Sequence, residues 1–153
     1  MPRPSHRLDL AVVPADPDRP VPASAAQELV DAWTMFPPAG ARAVRVDLPG
    51  EVTLYANQLG GFRVRCPASG GNLVGEFGRA MTAWRRGGRR ALACPCCGSE
   101  HALASLDFAP PAAFARGGVV LADVDVSTLG EAARREAEVL LGGPVRVIGR
   151  RVS

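Results

Sequence analysis

Two short stretches of the chain share one frame, Cys66-Pro-Ala-Ser-Gly70 and Cys94-Pro-Cys-Cys-Gly98. Each follows a short alternating run. Phe62, Val64 and Cys66 fall on one face of the first, and Leu92 and Cys94 on one face of the second. A strand that enters such a turn must reverse tightly if side chains three residues apart are to point at one spot. Pro67 and Pro95 fix φ at the second position of each turn, and Gly70 and Gly98 permit the positive φ that closes it. Thiolates presented in this way are the natural ligands of a zinc ion.

Two such knuckles together resemble a zinc ribbon, with one departure: Ser69 stands where the frame asks for a fourth Cys. Cys66, Cys94 and Cys97 occupy ribbon positions, and three candidates compete for the fourth. Ser69 has the right place, but a neutral hydroxyl is a poor zinc donor beside thiolates. Cys96 has the right chemistry but lies inside the turn, where its side chain is expected to point away from Cys94 and Cys97. His101 follows Cys97 by four residues, and imidazole suits zinc well. The expected set is therefore Cys66, Cys94, Cys97 and His101, holding a structural zinc ion. A disulfide from Cys66 to Cys94 or Cys97 is the oxidised alternative.

The rest of the chain reads as strand and helix. Leu8, Leu10 and Val12 alternate as a half-buried strand. Ser24 and Gln27 fit a capping box for a helix with Ala26, Leu29, Val30 and Trp33 on its apolar face. Val44, Val46 and Leu48 alternate again, and a further strand spans 52–56. Toward the far end, residues 119–124 form an apolar strand. Thr128 and Glu131 suggest a second capping box, for a helix buried through Ala133, Ala137, Leu140 and Leu141. Gly142-Gly143-Pro144 stops that helix before a last strand around Val145 and Val147. Strand–helix–strand at each end predicts an α+β fold, a ferredoxin-like split βαβ sandwich whose two units share one sheet. The expected core is residues 1–58 and 108–153, with 59–107 an inserted, degenerate zinc-ribbon hairpin pair.

Inside that insertion, Phe77, Ala80, Met81 and Trp84 follow helical spacing and are expected to pack on the ribbon strands. Arg79, Arg85, Arg86, Arg89 and Arg90 form the densest basic cluster. All 18 basic residues are Arg, and the net charge is only +3, so this cluster is read first as a solvated face and second as a nucleic-acid patch. Cys94-Pro-Cys-Cys97 contains a Cys-x-x-Cys, but an extended segment follows it. The helix N-terminus that activates a redox dithiol is therefore missing. Asp123 and Asp125, alternating at a strand end, are read as carboxylates facing solvent ahead of a cation site.

No G-x-S-x-G elbow, H-E-x-x-H helix or phosphate-binding Gly-rich loop occurs, which leaves hydrolysis without a template. The opening Met1–His6 is rich in breakers and is read as carrying no secretory segment, and no apolar run approaches membrane-spanning length. Cysteines confined to one central block suit a reducing cytoplasm.

The segment Tyr55-Ala-Asn-Gln-Leu-Gly-Gly-Phe-Arg-Val-Arg-Cys-Pro67 resembles a group of small uncharacterised bacterial zinc-ribbon proteins. So do Ala91-Leu-Ala-Cys-Pro-Cys-Cys-Gly98 and Gly143-Pro-Val-Arg-Val-Ile-Gly-Arg-Arg-Val152. Members of that group sometimes carry the label sugar ABC transporter ATPase. The chain contains no Lys and hence no G-x-x-x-x-G-K-[ST] loop, so the label does not suit it. The resemblance implies no catalytic residues. The resulting expectation is a non-enzymatic cytoplasmic binding or adaptor protein with an unidentified protein partner. A nucleic-acid binder using the Arg79–Arg90 patch and a dithiol redox protein are the alternatives.

Overall fold

A computed structural model describes residues 7–57 and 62–152. The Met1–His6 opening and the expected boundary at Gln58–Leu59 lie outside these residues. The chain divides into two compact units, Met1–Gly60 with Ala112–Ser153, and Gly61–Pro111.

In the first unit, strands β1 (Arg7–Pro14), β2 (Ala43–Asp47), β9 (Gly118–Ala122) and β10 (Val145–Val152) form one sheet in the order β10-β1-β9-β2. Every neighbouring pair is antiparallel, and β1 pairs with β10 along its full length, from Arg7↔Val152 to Pro14↔Val145. Strands from both ends of the chain thus share one sheet, as the patterning predicts.

Alternation along these strands sends Leu10, Val12, Val119, Leu121 and Val145 to one face. There they meet α1 (Ala23–Met35) and α3 (Glu131–Leu141). Helix α1 buries Ala26, Leu29, Val30 and Trp33, the four positions of its apolar stripe. Helix α3 buries Ala137 and Leu141, while Ala133 and Leu140 pack partly buried against the same core. The opposite face carries Ala11, Val13, Val120 and Ile148. It is covered by Tyr55, Ala113 and Ala115 from β3 (Thr53–Tyr55) and its antiparallel partner β8 (Ala113–Ala115).

Both expected capping boxes are absent. Helix α1 starts one residue before Ser24, with extended Pro22 at its cap and the Ala26 amide bonded to the Pro22 carbonyl at 3.1 Å. Because proline presets a φ close to the helical value, the helix begins at once and Ser24 falls inside its first turn. Helix α3 begins from Gly130, whose carbonyl accepts the Arg134 amide at 3.0 Å, leaving Thr128 upstream of the cap. The Asp123–Asp125 alternation also ends differently, because the strand stops at Ala122. Asp123 takes a φ of 54° with its amide on Asp9, and the Asp125 carboxylate is held by Arg42.

The second unit contains β4 (Arg63–Arg65), α2 (Val74–Arg85), β5 (Ala91–Ala93), β6 (Glu100–Ala102) and β7 (Asp107–Ala109). Its interior holds Val64, Leu73, Phe77, Met81, Leu92 and Leu103. The rings of Phe62, Phe77 and Phe108 pack with centroids 5.4–6.2 Å apart. Among the described residues of this unit, only β5 and β6 make a full hairpin. The first knuckle returns through a single bridge, Arg65↔Asn72, and β4 forms its ladder with β7 instead.

Leu121 is fully buried between the sheet and the helices, so Leu121→Ala is expected to lower the unfolding free energy by about 2–5 kcal/mol in a urea titration. The exposed control Val139→Ala is expected to stay within about 0.5 kcal/mol of the parent.

Candidate metal centre

The two knuckles repeat one another bond for bond. The Cys66 amide donates to the Gly71 carbonyl at 2.9 Å, and the Gly70 amide donates back to the Cys66 carbonyl at 2.8 Å. In the second knuckle the Cys94 amide donates to Ser99 and the Gly98 amide to Cys94, both at 2.9 Å. Gly70 and Gly98 hold φ of 73° and 76°, the left-handed conformation that makes glycine the fitting residue at each turn.

These turns place Cys66 at the end of β4 and Cys94 at the end of β5, both buried, with Cys97 half-buried on the far side of the second turn. His101 arrives through strand register. It pairs directly with Leu92 across the β5–β6 hairpin, so the two side chains share a face. Leu92 in turn shares that face with Cys94, two residues on. The imidazole is thereby brought over the sulfurs, with Nε2 at 3.2 Å from Cys97 Sγ and 3.7 Å from Cys66 Sγ.

Cys66 and Cys97 sulfurs lie 3.7 Å apart, and the donor atoms of Cys66, Cys94, Cys97 and His101 all fall within 4.8 Å of one another. A tetrahedral zinc ion with bonds of about 2.3 Å to sulfur separates its sulfur ligands by about 3.8 Å, so the observed spacing suits one ion. All four expected residues are brought together in this group.

The two other candidates for the fourth position are placed elsewhere. Ser69 presents its amide to Cys66 Sγ at 3.4 Å, and its hydroxyl bonds the same sulfur. Those two bonds, hydroxyl first, lower the Cys66 thiol from its ordinary 9.0 to about 6, with the Ala68 amide adding to the effect. A residue weighed in the sequence as a weak ligand thus acts instead as a donor that stabilises a thiolate. The sequence signal for this role is the occurrence of a hydroxyl at the frame's last variable position. Cys96 is exposed and lies against Gly71, where an added Cβ would come within 2.5 Å of its sulfur. The thiol of Cys97 is pulled down by the Ser99 amide but raised more strongly by burial and by the neighbouring sulfurs of Cys66 and Cys94. An upward push on Cys97 is expected of a thiol crowded by other sulfurs.

The basic cluster of this unit is partly spent. Arg79 pairs with Glu76 at 3.4 Å, Arg89 pairs with Glu100, and the Arg90 guanidinium lies over the Trp84 ring at 5.9 Å. No described helix is long and apolar enough to cross a membrane. Comparison with protein-family models, with curated proteins and with solved structures gives no match.

In reduced, metal-free protein the thiolate absorbance should show one thiol titrating near pH 6, and Ser69→Ala should move that step upward. Because the folded pKa lies below the ordinary value, the stability that this thiolate contributes is fully present above about pH 9. It is lost as the pH falls through about 6. Denaturant midpoints measured across that range should therefore fall on acidification, and less so in Ser69→Ala.

Proposed function

We propose that Cys66, Cys94, Cys97 and His101 hold one structural zinc ion in a zinc-ribbon-like module, within a non-enzymatic cytoplasmic binding or adaptor protein. The observation that carries this reading is the convergence of four donor atoms within 4.8 Å of one another, with the Cys66 and Cys97 sulfurs 3.7 Å apart. Three sulfurs and one imidazole nitrogen form a donor set that selects zinc over harder cations. Four protein ligands complete a tetrahedral shell and leave no position for a substrate or an activated water, which favours a structural role over a catalytic one. The ion would tie the two knuckles together, and its binding free energy would add to folding.

The order β10-β1-β9-β2, with both helices on one face, supports a ferredoxin-like split βαβ arrangement for the first unit. The paired knuckles likewise support the resemblance to bacterial zinc-ribbon proteins.

The dithiol redox alternative is weakened by burial. Cys66 and Cys94 are 0% and 2% exposed, whereas an attacking thiolate must be reachable. Cys97 is followed by Gly98 and strand β6, not by a helix N-terminus. The nucleic-acid alternative is weakened by the ion pairs that occupy Arg79 and Arg89.

Titration of the reduced apoprotein should give one zinc per chain and a rise in melting temperature with free zinc. Cobalt substitution should give the intense visible bands of a tetrahedral thiolate site. His101→Ala should lower zinc affinity by at least about tenfold, the scale on which even an outer partner of a ligand matters. Retention of full affinity in His101→Ala would remove the imidazole from the set. Replacing Arg85, Arg86, Arg89 and Arg90 by Gln should leave each site within about 0.5 kcal/mol of the parent. Salt-sensitive oligonucleotide binding that disappears in this variant would instead favour the nucleic-acid reading.

A further inference from the structure

The face of the four-stranded sheet opposite the helices is apolar in its inner half and strongly basic at one end. Register places Arg7 opposite Val152 and Asp9 opposite Arg150, so these side chains share that face with Ala11 and Ile148. Strand β2 contributes Arg45 through its pairing with Val120. The result is an open cavity of about 300 Å³ in the first unit, lined by Arg7, Arg45, Arg150, Arg151 and Asp9. Leu54 and Ala56, flanking Tyr55, form its apolar wall.

Three guanidinium groups, those of Arg7, Arg45 and Arg150, therefore share this face with one lining carboxylate, and that carboxylate is already committed. Asp9 is 1% exposed, accepts the Asp123 amide at 2.9 Å and pairs with Arg7 Nε at 3.1 Å. Among the described residues, Arg45, Arg150 and Arg151 have no acidic partner. Arg150 is the most constrained of these. Its guanidinium lies over the Tyr55 ring at 5.5 Å, and that ring is fixed by a 2.6 Å hydrogen bond from its hydroxyl to Asp47. Arg150 Nε is also buried without a hydrogen-bond partner. A buried donor left unpaired costs stability that an incoming acceptor recovers. A guanidinium held over an aromatic ring has already lost much of the freedom that binding would otherwise take from it.

From this arrangement we propose that the cavity binds a small molecule through a multiply charged oxyanion, a phosphate monoester or diphosphate group. The oxyanion is gripped by Arg45 and Arg150, with Arg7 adding to the field. Guanidinium forks match phosphate oxygens in bidentate geometry, while Leu54 and Ala56 offer an apolar surface to the ligand's organic part. The volume lies at the small end of the range for small-molecule sites, which favours a compact ligand over a polymer. This site is built from the first unit alone and is independent of the metal reading.

The test is calorimetric titration of the reduced, full-length protein with pyrophosphate, at low and at moderate salt. Saturable binding of one pyrophosphate per chain, weakened by salt, is expected. Arg45→Gln with Arg150→Gln should reduce affinity by roughly tenfold or more, and Arg150→Lys should lose part of it because the charge stays but the fork is gone. Arg85→Gln with Arg86→Gln should bind like the parent. Arg45→Gln alone, at an exposed position, keeps the test open should the double variant fold poorly. Absence of pyrophosphate binding would overturn the proposal. So would binding unchanged by Arg45→Gln, or lost equally in the Arg85/Arg86 variant. Binding of a short oligonucleotide without any binding of pyrophosphate would overturn the small-molecule assignment.

Discussion

Three thiols and an imidazole crowded into one space face an electrostatic conflict. As thiolates they repel one another across distances of a few ångströms, and as neutral thiols they spend the space on weak donors. Two features of the chain bear on this conflict. The Cys66 sulfur receives the Ser69 hydroxyl and amide, an arrangement that favours its anionic form. The Cys97 thiol, by contrast, is pushed up by the sulfurs around it. A divalent cation at their centre would relieve the repulsion and use the anionic form already prepared at Cys66. The paired knuckles, with their matched backbone bonds, have a clear physical purpose under that condition.

Much of this was legible in the sequence because it depends on local rules. The Cys-Pro-x-x-Gly frame specifies a turn whose glycine must reach positive φ, and both glycines do so. Helix α1 buries the four residues of its 3.6-residue stripe, since that stripe is complete within one element. What escaped was set by neighbours rather than by pattern. The capping boxes failed because Pro22 and Gly130 start the helices by themselves. The partner of β4 is β7, whose Phe108 ring packs with Phe62 and Phe77, contacts that join segments far apart in the sequence. Ser69 was visible as a departure from the frame, but its bonding to Cys66 depends on the closed turn.

The basic cavity illustrates a stronger limit. Arg7, Arg45 and Arg150 are far apart in sequence and meet only because β10 and β1 pair while β2 lies beyond β9. By contrast, the five arginines between 79 and 90 look like a patch in the sequence, yet pairing with Glu76 and Glu100 and stacking on Trp84 use up much of it. In a chain whose basic residues are all Arg, density along the sequence is a poor guide to where positive charge is left uncompensated. Sheet topology is the better guide.

The proposed zinc ion would take its ligands from Cys66, Cys94, Cys97 and His101. X-ray absorption at the zinc edge, on reduced protein purified without added metal, reads those ligands directly. The account predicts one zinc per chain surrounded by three sulfurs at about 2.3 Å and one nitrogen at about 2.0 Å. Folded protein lacking zinc, or a zinc shell dominated by oxygen or nitrogen, would contradict it.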